Sequence, residues 1–365
     1  MNPLPSEFDP LGPPKPVCQK GEFPFAAAYL DHGHIYGQCE ALIEAGGNLC
    51  YVYDKDPDKV AEFVKKFPEV KVLTSEEALL DKEDIKLITA AAVTSQRGPL
   101  GLRVMAAGKD YFTDKAPFTT LEQLEAAREA VISSGKKYMV YYSERLHVES
   151  AMHAGEMIRA GAIGQVIQVL GLGPHRLRPE SRPAWFFERA TYGGILCDIG
   201  SHQIEQFLHY GGVKDAKVLS ARADNLAHPD YPELEDFGEA TLKGDNGCSN
   251  YFRVDWFTPK GLGTWGDGRM MILGTEGYIE LRKYIDISRG RGGNHVFLVN
   301  GQGEFYMDVT GKVGHPFFGA FILDCLNRSE AAMTQEHAFK AAELCLKAQI
   351  LADTHKIDQQ KEVQA

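Results

Sequence analysis

From residue 24 onward, short apolar runs alternate with stretches of helical period. "PFAAAYL" reads as a buried strand, and "QCEALIEAG" as a helix closed by Gly46 and Gly47. "NLCYVYD" is a strand ending at Asp54, and "PDKVAEFVKKFP" a helix with Pro57 in its first turn. "KVLTSEEALLDKE" repeats the strand-then-helix pattern. "IKLITAAAV", "KDYFTDK" and "KKYMVYYS" are further strands, separated by the helical stretches "GPLGLRVMAAG" and "TLEQLEAAREAVISSG". Strict alternation predicts an α/β fold whose parallel sheet carries helices on both faces. Such sheets bind ligands at the carboxyl ends of their strands, where the strand order reverses.

The pattern changes near residue 144. "SAMHAGEMIRAGAIG" reads as a helix. Strands such as "QVIQVLGLG", "AKVLSARADN", "GEATLKG", "CSNYFRVDWF", "RMMILG" and "GYIELRK" follow, several divided by turn signals at Gly244–Gly247 and Gly274–Gly277. This predicts an α+β domain with an open, largely antiparallel sheet. Two helical stretches, "HPFFGAFILDCLNRS" and "EHAFKAAELCLKAQILADTH", close the chain. The expected organisation is an extended tail over 1–20, a parallel-sheet domain over 21–143 and the α+β domain over 144–365.

A length of 365 residues suits two such cores better than one. The net charge of −11 argues against a nucleic-acid partner, since phosphate contacts need a basic surface. No run approaches the roughly 20 apolar residues that span a bilayer. The Pro-rich, acidic start "MNPLPSEFDPLGPPKPVCQKGEF" has no apolar core of a signal peptide and reads as an extended tail. Seven cysteines without a CxxC pair fit a reducing cytoplasm.

The turn after the first strand, "YLDHGHIYG", stands where a dinucleotide-binding protein carries G-x-G-x-x-G. Here the three positions fall on Asp31, Gly33 and Tyr36, so only the glycine that admits a pyrophosphate is kept. Asp31, His32, Gly33, His34 and Ile35 would form the phosphate loop and the first helical turn. Asp54 ends the second strand, near the usual offset for the acid that binds a ribose 2′-hydroxyl, which favours NAD over NADP. The competing reading makes Gly33 and Gly37 parts of a tight turn only. If phosphate binds, the charge of Asp31 must be offset, by His32 or His34 or by a bond to its own turn.

Two stretches carry candidate chemistry. In "YFTDKAPFTT", Lys115 follows an apolar strand and would point into the ligand crevice; the alternative is a solvated loop lysine. In "YGGILCDIGSHQIEQFLHYGG", Asp198 and His202 are four apart on a helix and share a face. Leu196, Ile204, Phe207 and Leu208 project the other way. A carboxylate and an imidazole off the packed face suit proton transfer, with the histidine titrating near neutral pH. No third ligand accompanies the pair, so no metal is expected. "GPHRLRPESRPAWFF" offers His175, Arg176, Arg178 and Trp185 for gripping a sugar ring or an acidic substituent.

Together these residues make the chain resemble the glucose–fructose oxidoreductase/inositol dehydrogenase (Gfo/Idh/MocA) family from about Phe23 to His355. The family's Glu-Lys-Pro is matched by Asp114, Lys115 and a displaced Pro117. Its Asp-x-x-x-His after Gly-Gly is matched by "GGILCDIGSH". "GTEGYIEL" and "HPFF…ILDCL…HAFKAAELCLKAQ" follow its usual course. The chain departs in its phosphate loop, in Asp114 for Glu, and in "AVTSQR" for Thr-Pro-Asn-x-x-His, which puts Thr94 at the Asn position and Arg97 at the His position.

The resemblance implies a Rossmann-type domain binding NAD, with NADP less favoured, and hydride exchange with a hydroxyl of a sugar, cyclitol or related polyol. It implies that Thr94, Arg97, Asp114 and Lys115 lie on the cofactor side, that His202 is the general base and that Asp198 orients the substrate. It also implies that Arg145 faces the substrate and that the second domain's sheet forms a homo-oligomer contact. A second class within the same fold is a glycoside hydrolase or lyase using tightly held NAD, with Tyr142, Glu144 or His175 as an added base.

Overall fold

The computed structural model of the chain describes residues 4–289 and 292–364. Its first sheet contains β1 (Pro24–Ala28), β2 (Asn48–Tyr53), β3 (Lys71–Val72), β4 (Leu87–Ala90), β5 (Asp110–Asp114) and β6 (Tyr138–Tyr141). All pairings are parallel, in the order β3-β2-β1-β4-β5-β6. The order reverses between β1 and β4, so the crevice opens beyond their carboxyl ends.

The helix after β4 spans Thr94–Ala106 and starts four residues before the apolar stretch that announces it. Pro99 lies inside it and cannot donate to the Ser95 carbonyl. The Gln123 side chain takes over that carbonyl at 3.1 Å. The helix thus survives its proline, and Thr94 and Arg97 are helical.

The second sheet contains β7 (Val166–Pro174), β8 (Ala216–Asp224), β9 (Phe237–Gly244), β10 (Ser249–Asp255), β11 (Arg269–Gly274), β12 (Gly277–Arg282), β13 (His295–Asn300) and β14 (Gly303–Asp308). Their order is β14-β13-β12-β11-β7-β10-β9-β8. Every pairing is antiparallel except β7 with β10. The β13–β14 hairpin extends the sheet beyond the strands named from the apolar pattern.

Gly171 and Gly173 alternate on one face of β7, and the helix Gly200–Gly211 lies over them. A Cβ on Gly173 would stand 2.8 Å from the Gln203 side chain. These glycines let the helix that carries His202 approach the sheet closely.

The C-terminal helix Gln335–Gln364 returns to the first domain. Gln335 bonds both the amide (2.9 Å) and the carbonyl (2.6 Å) of Tyr138, covering the open edge of β6. The stretch before β1 is not a free tail. Leu4 and Phe8 are buried, and an added Cβ on Gly319 would touch Val17 at 2.9 Å. Apolar residues spaced among the prolines dock it onto the body.

Candidate active site

Lys115 is the first residue after β5, and its side chain is 7% exposed. Arg97, buried at 1%, pins the turn that carries it. The guanidinium donates to the carbonyls of Ala92, Lys115 and Ala116 and to Asp114. Five fixed donors on one planar group suit this work better than the imidazole the family pattern has there.

Asp114 is fully buried at the end of β5 and serves as the hub of the loop. It faces His34 Nδ1 at 2.8 Å, His32 Nδ1 at 3.1 Å and Arg97 at 3.3 Å, and accepts from the Lys115 amide at 2.8 Å. Burial pushes its carboxyl up, but His34, Arg97 and His32 outweigh that and hold it well below the usual range. His32, His34 and Asp114 bring three possible metal-ligating atoms within 4.8 Å of one another. Both carboxylate oxygens are already engaged there and a guanidinium adjoins them, so the cluster reads as a hydrogen-bonded brace.

Asp31 pairs with neither histidine and does not bond its own turn. It accepts from Lys59 Nζ at 2.6 Å, a lysine from the next helix that spacing alone does not bring near. The loop's single left-handed residue is Tyr29 at φ 53°, directly after β1. Gly33 is the N-cap of the helix His34–Glu44, and an added Cβ there would meet nothing within 4 Å. Ile35 is buried beneath that first turn.

Asp54 accepts from Leu30 N at 2.6 Å and Asp56 N at 2.8 Å, which leaves two of its about four acceptor sites unused. An open helix N-terminus at the switch point and an acid with spare acceptors beside it fit a dinucleotide. NAD supplies a hydride acceptor when bound there. Gly33, the first turn of the helix and Asp54 are the residues that would hold it.

Across the crevice, Asp198 ends the short helix Ile195–Asp198, and Lys115 Nζ donates to its Oδ1. Burial pushes Asp198 up, but the ammonium outweighs it and holds the carboxyl at about 2. Leu196, Ile204, Phe207 and Leu208 pack into the core as their spacing predicts.

His202 differs from the sequence expectation. It is 2% exposed, and burial pushes it down to about 3, so it is neutral near pH 7 and does not titrate there. Its Nδ1 is buried without a hydrogen-bond partner among the described residues. Glu144 is the strongest opposing influence on it. Glu144 accepts from Lys283 Nζ at 2.6 Å and Gln203 at 3.0 Å, while its Oε1 has no hydrogen-bond partner among the described residues and faces His175 Nε2 at 3.8 Å. Burial raises Glu144, but Lys283 reverses this and leaves it at about 2.

The cavity in front of Lys115 and Asp198 holds about 250 Å³ and is lined by both domains. His32, His34, Thr94 and Arg97, expected on the cofactor side, and His175, Arg176 and Trp185, expected on the substrate side, all line it. Arg176 is anchored, its Nη2 donating to the carbonyls of Pro259, Leu262 and Thr264. His175 packs at 5.4 Å from Trp256 and 4.5 Å from Trp265, and burial holds it down at about 4.

Arg145 is absent from the cavity. It forms a buried bidentate pair with Glu205, which His337 also contacts at 3.0 Å. That partner lies 60 positions away on another helix, so position after β6 gave no sign of it. The sequence reading missed Arg182, Tyr192, Trp256 and Trp265. Arg182 and Trp265 stand in polar, irregular stretches where no period marks a side chain's direction, and Trp256 follows directly on β10, where the strand pattern does not show that it faces a cavity.

Residues 25–142 match the model of the oxidoreductase family with an NAD-binding Rossmann fold, and residues 151–280 match the GFO/IDH/MocA C-terminal domain. The chain belongs to the Gfo/Idh/MocA family of oxidoreductases. A crystal structure from Erwinia carotovora atroseptica SCRI1043, described provisionally as an oxidoreductase, is 51% identical. It superposes with a TM-score of 0.88 over 91% of this chain and 99% of that one. The scyllo-inositol 2-dehydrogenase (NAD(+)) of Bacillus subtilis is 25% identical over 69% of each chain. The NADP(+)-dependent scyllo-inositol 2-dehydrogenase of that organism is 26% identical, and the chain spans about half its length. This member is an oxidoreductase with an NAD-binding Rossmann fold. Among the described residues, no helix is long and apolar enough to cross a membrane.

Proposed function

We propose that the chain oxidises a secondary hydroxyl of a sugar, cyclitol or related polyol, with NAD taking the hydride. The observation that carries this reading is the contact of Lys115 with Asp198 across the domain junction, with a neutral His202 buried outside the cavity lining but near enough to feel the Lys115 charge. Lys115 stabilises the alkoxide that develops as the hydride leaves. His202 accepts the hydroxyl proton. Being neutral over the working pH range, it is always in the competent form, and Glu144 behind it stabilises the imidazolium that results. Asp198 holds Lys115 in place and accepts from a neighbouring substrate hydroxyl. The aromatic walls at Trp185, Trp256 and Trp265 exclude water and stack on the ring's C–H faces.

The scyllo-inositol dehydrogenase likeness supports the substrate class, and Asp54 supports NAD over NADP. Exposed Ile167, Met271 and Leu273 on β7 and β11 support assembly of copies through the second sheet. Seven free thiols suit a cytoplasmic setting. Mixing the protein with NAD and a panel of sugars and cyclitols, while following absorbance of the reduced nicotinamide, tests the reading. Reduction with at least one polyol supports it, and none across the panel rejects it.

A further inference from the structure

The charges around the cavity do not balance. Lys115 is matched by Asp198, and Arg97 by Asp114 together with three carbonyls. Among the described residues Arg176 is held by carbonyls alone, and its buried Nε has no hydrogen-bond partner. Arg182 is more exceptional. Its Nε donates to the Leu177 carbonyl at 3.1 Å, and its terminal nitrogens bond nothing among the described residues.

The Arg182 guanidinium lies 4.6 Å from the Phe186 ring and 4.9 Å from the Trp256 ring. Burial there disfavours its charge, and Arg178 adds to this while Asp198 opposes it. A protein with net charge −11 has thus set two guanidinium groups without carboxylate partners at one small cavity. Desolvating a cation without a counter-charge is costly, and the cost is recovered when an anion arrives.

We infer that the substrate is a polyhydroxy carboxylate, an aldonate or uronate, whose carboxylate is gripped by Arg182 while its reacting hydroxyl meets Lys115. This rests on the dehydrogenase reading above and names the substrate class for that same site. The planar fork of Arg182, packed against the edge-to-face pair Phe186 and Trp256, carries paired donors that match a carboxylate's two oxygens. Lys115 already neutralises Asp198, so the incoming anion does not meet a bare carboxylate. The volume of about 250 Å³ lies below the drug-sized range of roughly 300–1,000 Å³ and suits a single monosaccharide unit.

The test compares D-glucuronate and D-galacturonate with D-glucose and D-galactose, in the full chain with saturating NAD. Turnover gives kcat/KM and calorimetry gives affinity. D-Glucose 6-phosphate is the second anion. The acids are expected to exceed the neutral sugars by about tenfold or more in both measures, the worth of one charge-assisted contact. Arg182→Met removes that advantage through KM, bringing the acids down to the level of the neutral sugars. Arg182→Lys, which keeps the charge, restores part of it.

Neutral sugars equalling the acids, no acid binding, or an Arg182→Met loss shared by both sets would overturn the inference and make Arg182 a packing group. Preference for the phosphate would overturn the carboxylate assignment. The two readings fail separately. Acids that bind through Arg182 without forming NADH defeat the hydride reading alone. NADH formed equally from neutral sugars defeats this one alone.

Discussion

The ammonium of Lys115 donates to the Asp198 carboxylate across 83 positions of sequence, joining the end of β5 to the helix beside the second sheet. Each side chain is positioned within its own domain. Arg97 fixes the turn under Lys115, and the close fit of the helix Gly200–Gly211 on Gly171 and Gly173 fixes the region of Asp198. The candidate site is therefore a product of domain docking, which the C-terminal helix clamps by its bonds to Tyr138.

The buried pair Glu144–Lys283 gives a stability prediction. Both side chains are at most 2% exposed. Glu144→Gln strands the Lys283 ammonium and should cost about 3–5 kcal/mol, the usual penalty for breaking a buried pair. Adding Lys283→Met should recover most of that loss. Denaturant unfolding measures both, and a double variant no more stable than the single one would contradict the pairing.

Acid sensitivity follows from the buried histidines. His202 is held at about 3, and His32, His147 and His175 at about 4, each by burial first. All four lie below the unfolded value of about 6.5, so the unfolded chain binds protons that the folded chain refuses. Their contribution is complete above about pH 6.5 and falls away as pH drops towards 4. The melting temperature should decline steadily from pH 7 to pH 5. A melting temperature flat over that window would show that these imidazoles are not held neutral.

Much of this architecture was legible in the sequence. The alternating apolar runs gave the parallel sheet, and the order of Lys115, Gly193–Gly194, Asp198 and His202 gave the family. Partnerships between distant residues were not legible, because periodicity reports the face of an element and not what docks on it. Arg145 illustrates this, since Glu205 claims it from another helix. So does His202, whose neutrality comes from a burial that the spacing to Asp198 cannot reveal.

Asp31 supplies a further prediction. A bond to its own turn would make it a support for the loop, yet its carboxylate is on Lys59. Asp31→Asn should release that ammonium towards the pyrophosphate and tighten NAD binding by a few fold, a modest effect because Lys59 is partly exposed and screened. Calorimetric titration with NAD decides it. Weaker binding would mean that the Asp31–Lys59 pair itself shapes the loop.

Cofactor choice turns on Asp54. Its spare acceptors favour the ribose hydroxyls, and its charge repels a 2′-phosphate. NAD should bind more tightly than NADP, and Asp54→Ala should narrow the gap. Because Asp54 also accepts from Leu30 N, the variant should lose some NAD affinity outright. Equal affinity for the two cofactors in the parent protein would remove Asp54 from this role.

The central claim is that Lys115 and His202 carry the proton and charge of a hydroxyl oxidation. Steady-state NADH formation by the parent protein, Lys115→Met and His202→Asn, with NAD affinity measured alongside, tests it most directly. The account predicts that each variant loses at least about a hundredfold in turnover, the lower range for a general base, while NAD binding stays within a few fold. Turnover near that of the parent in both variants would contradict it.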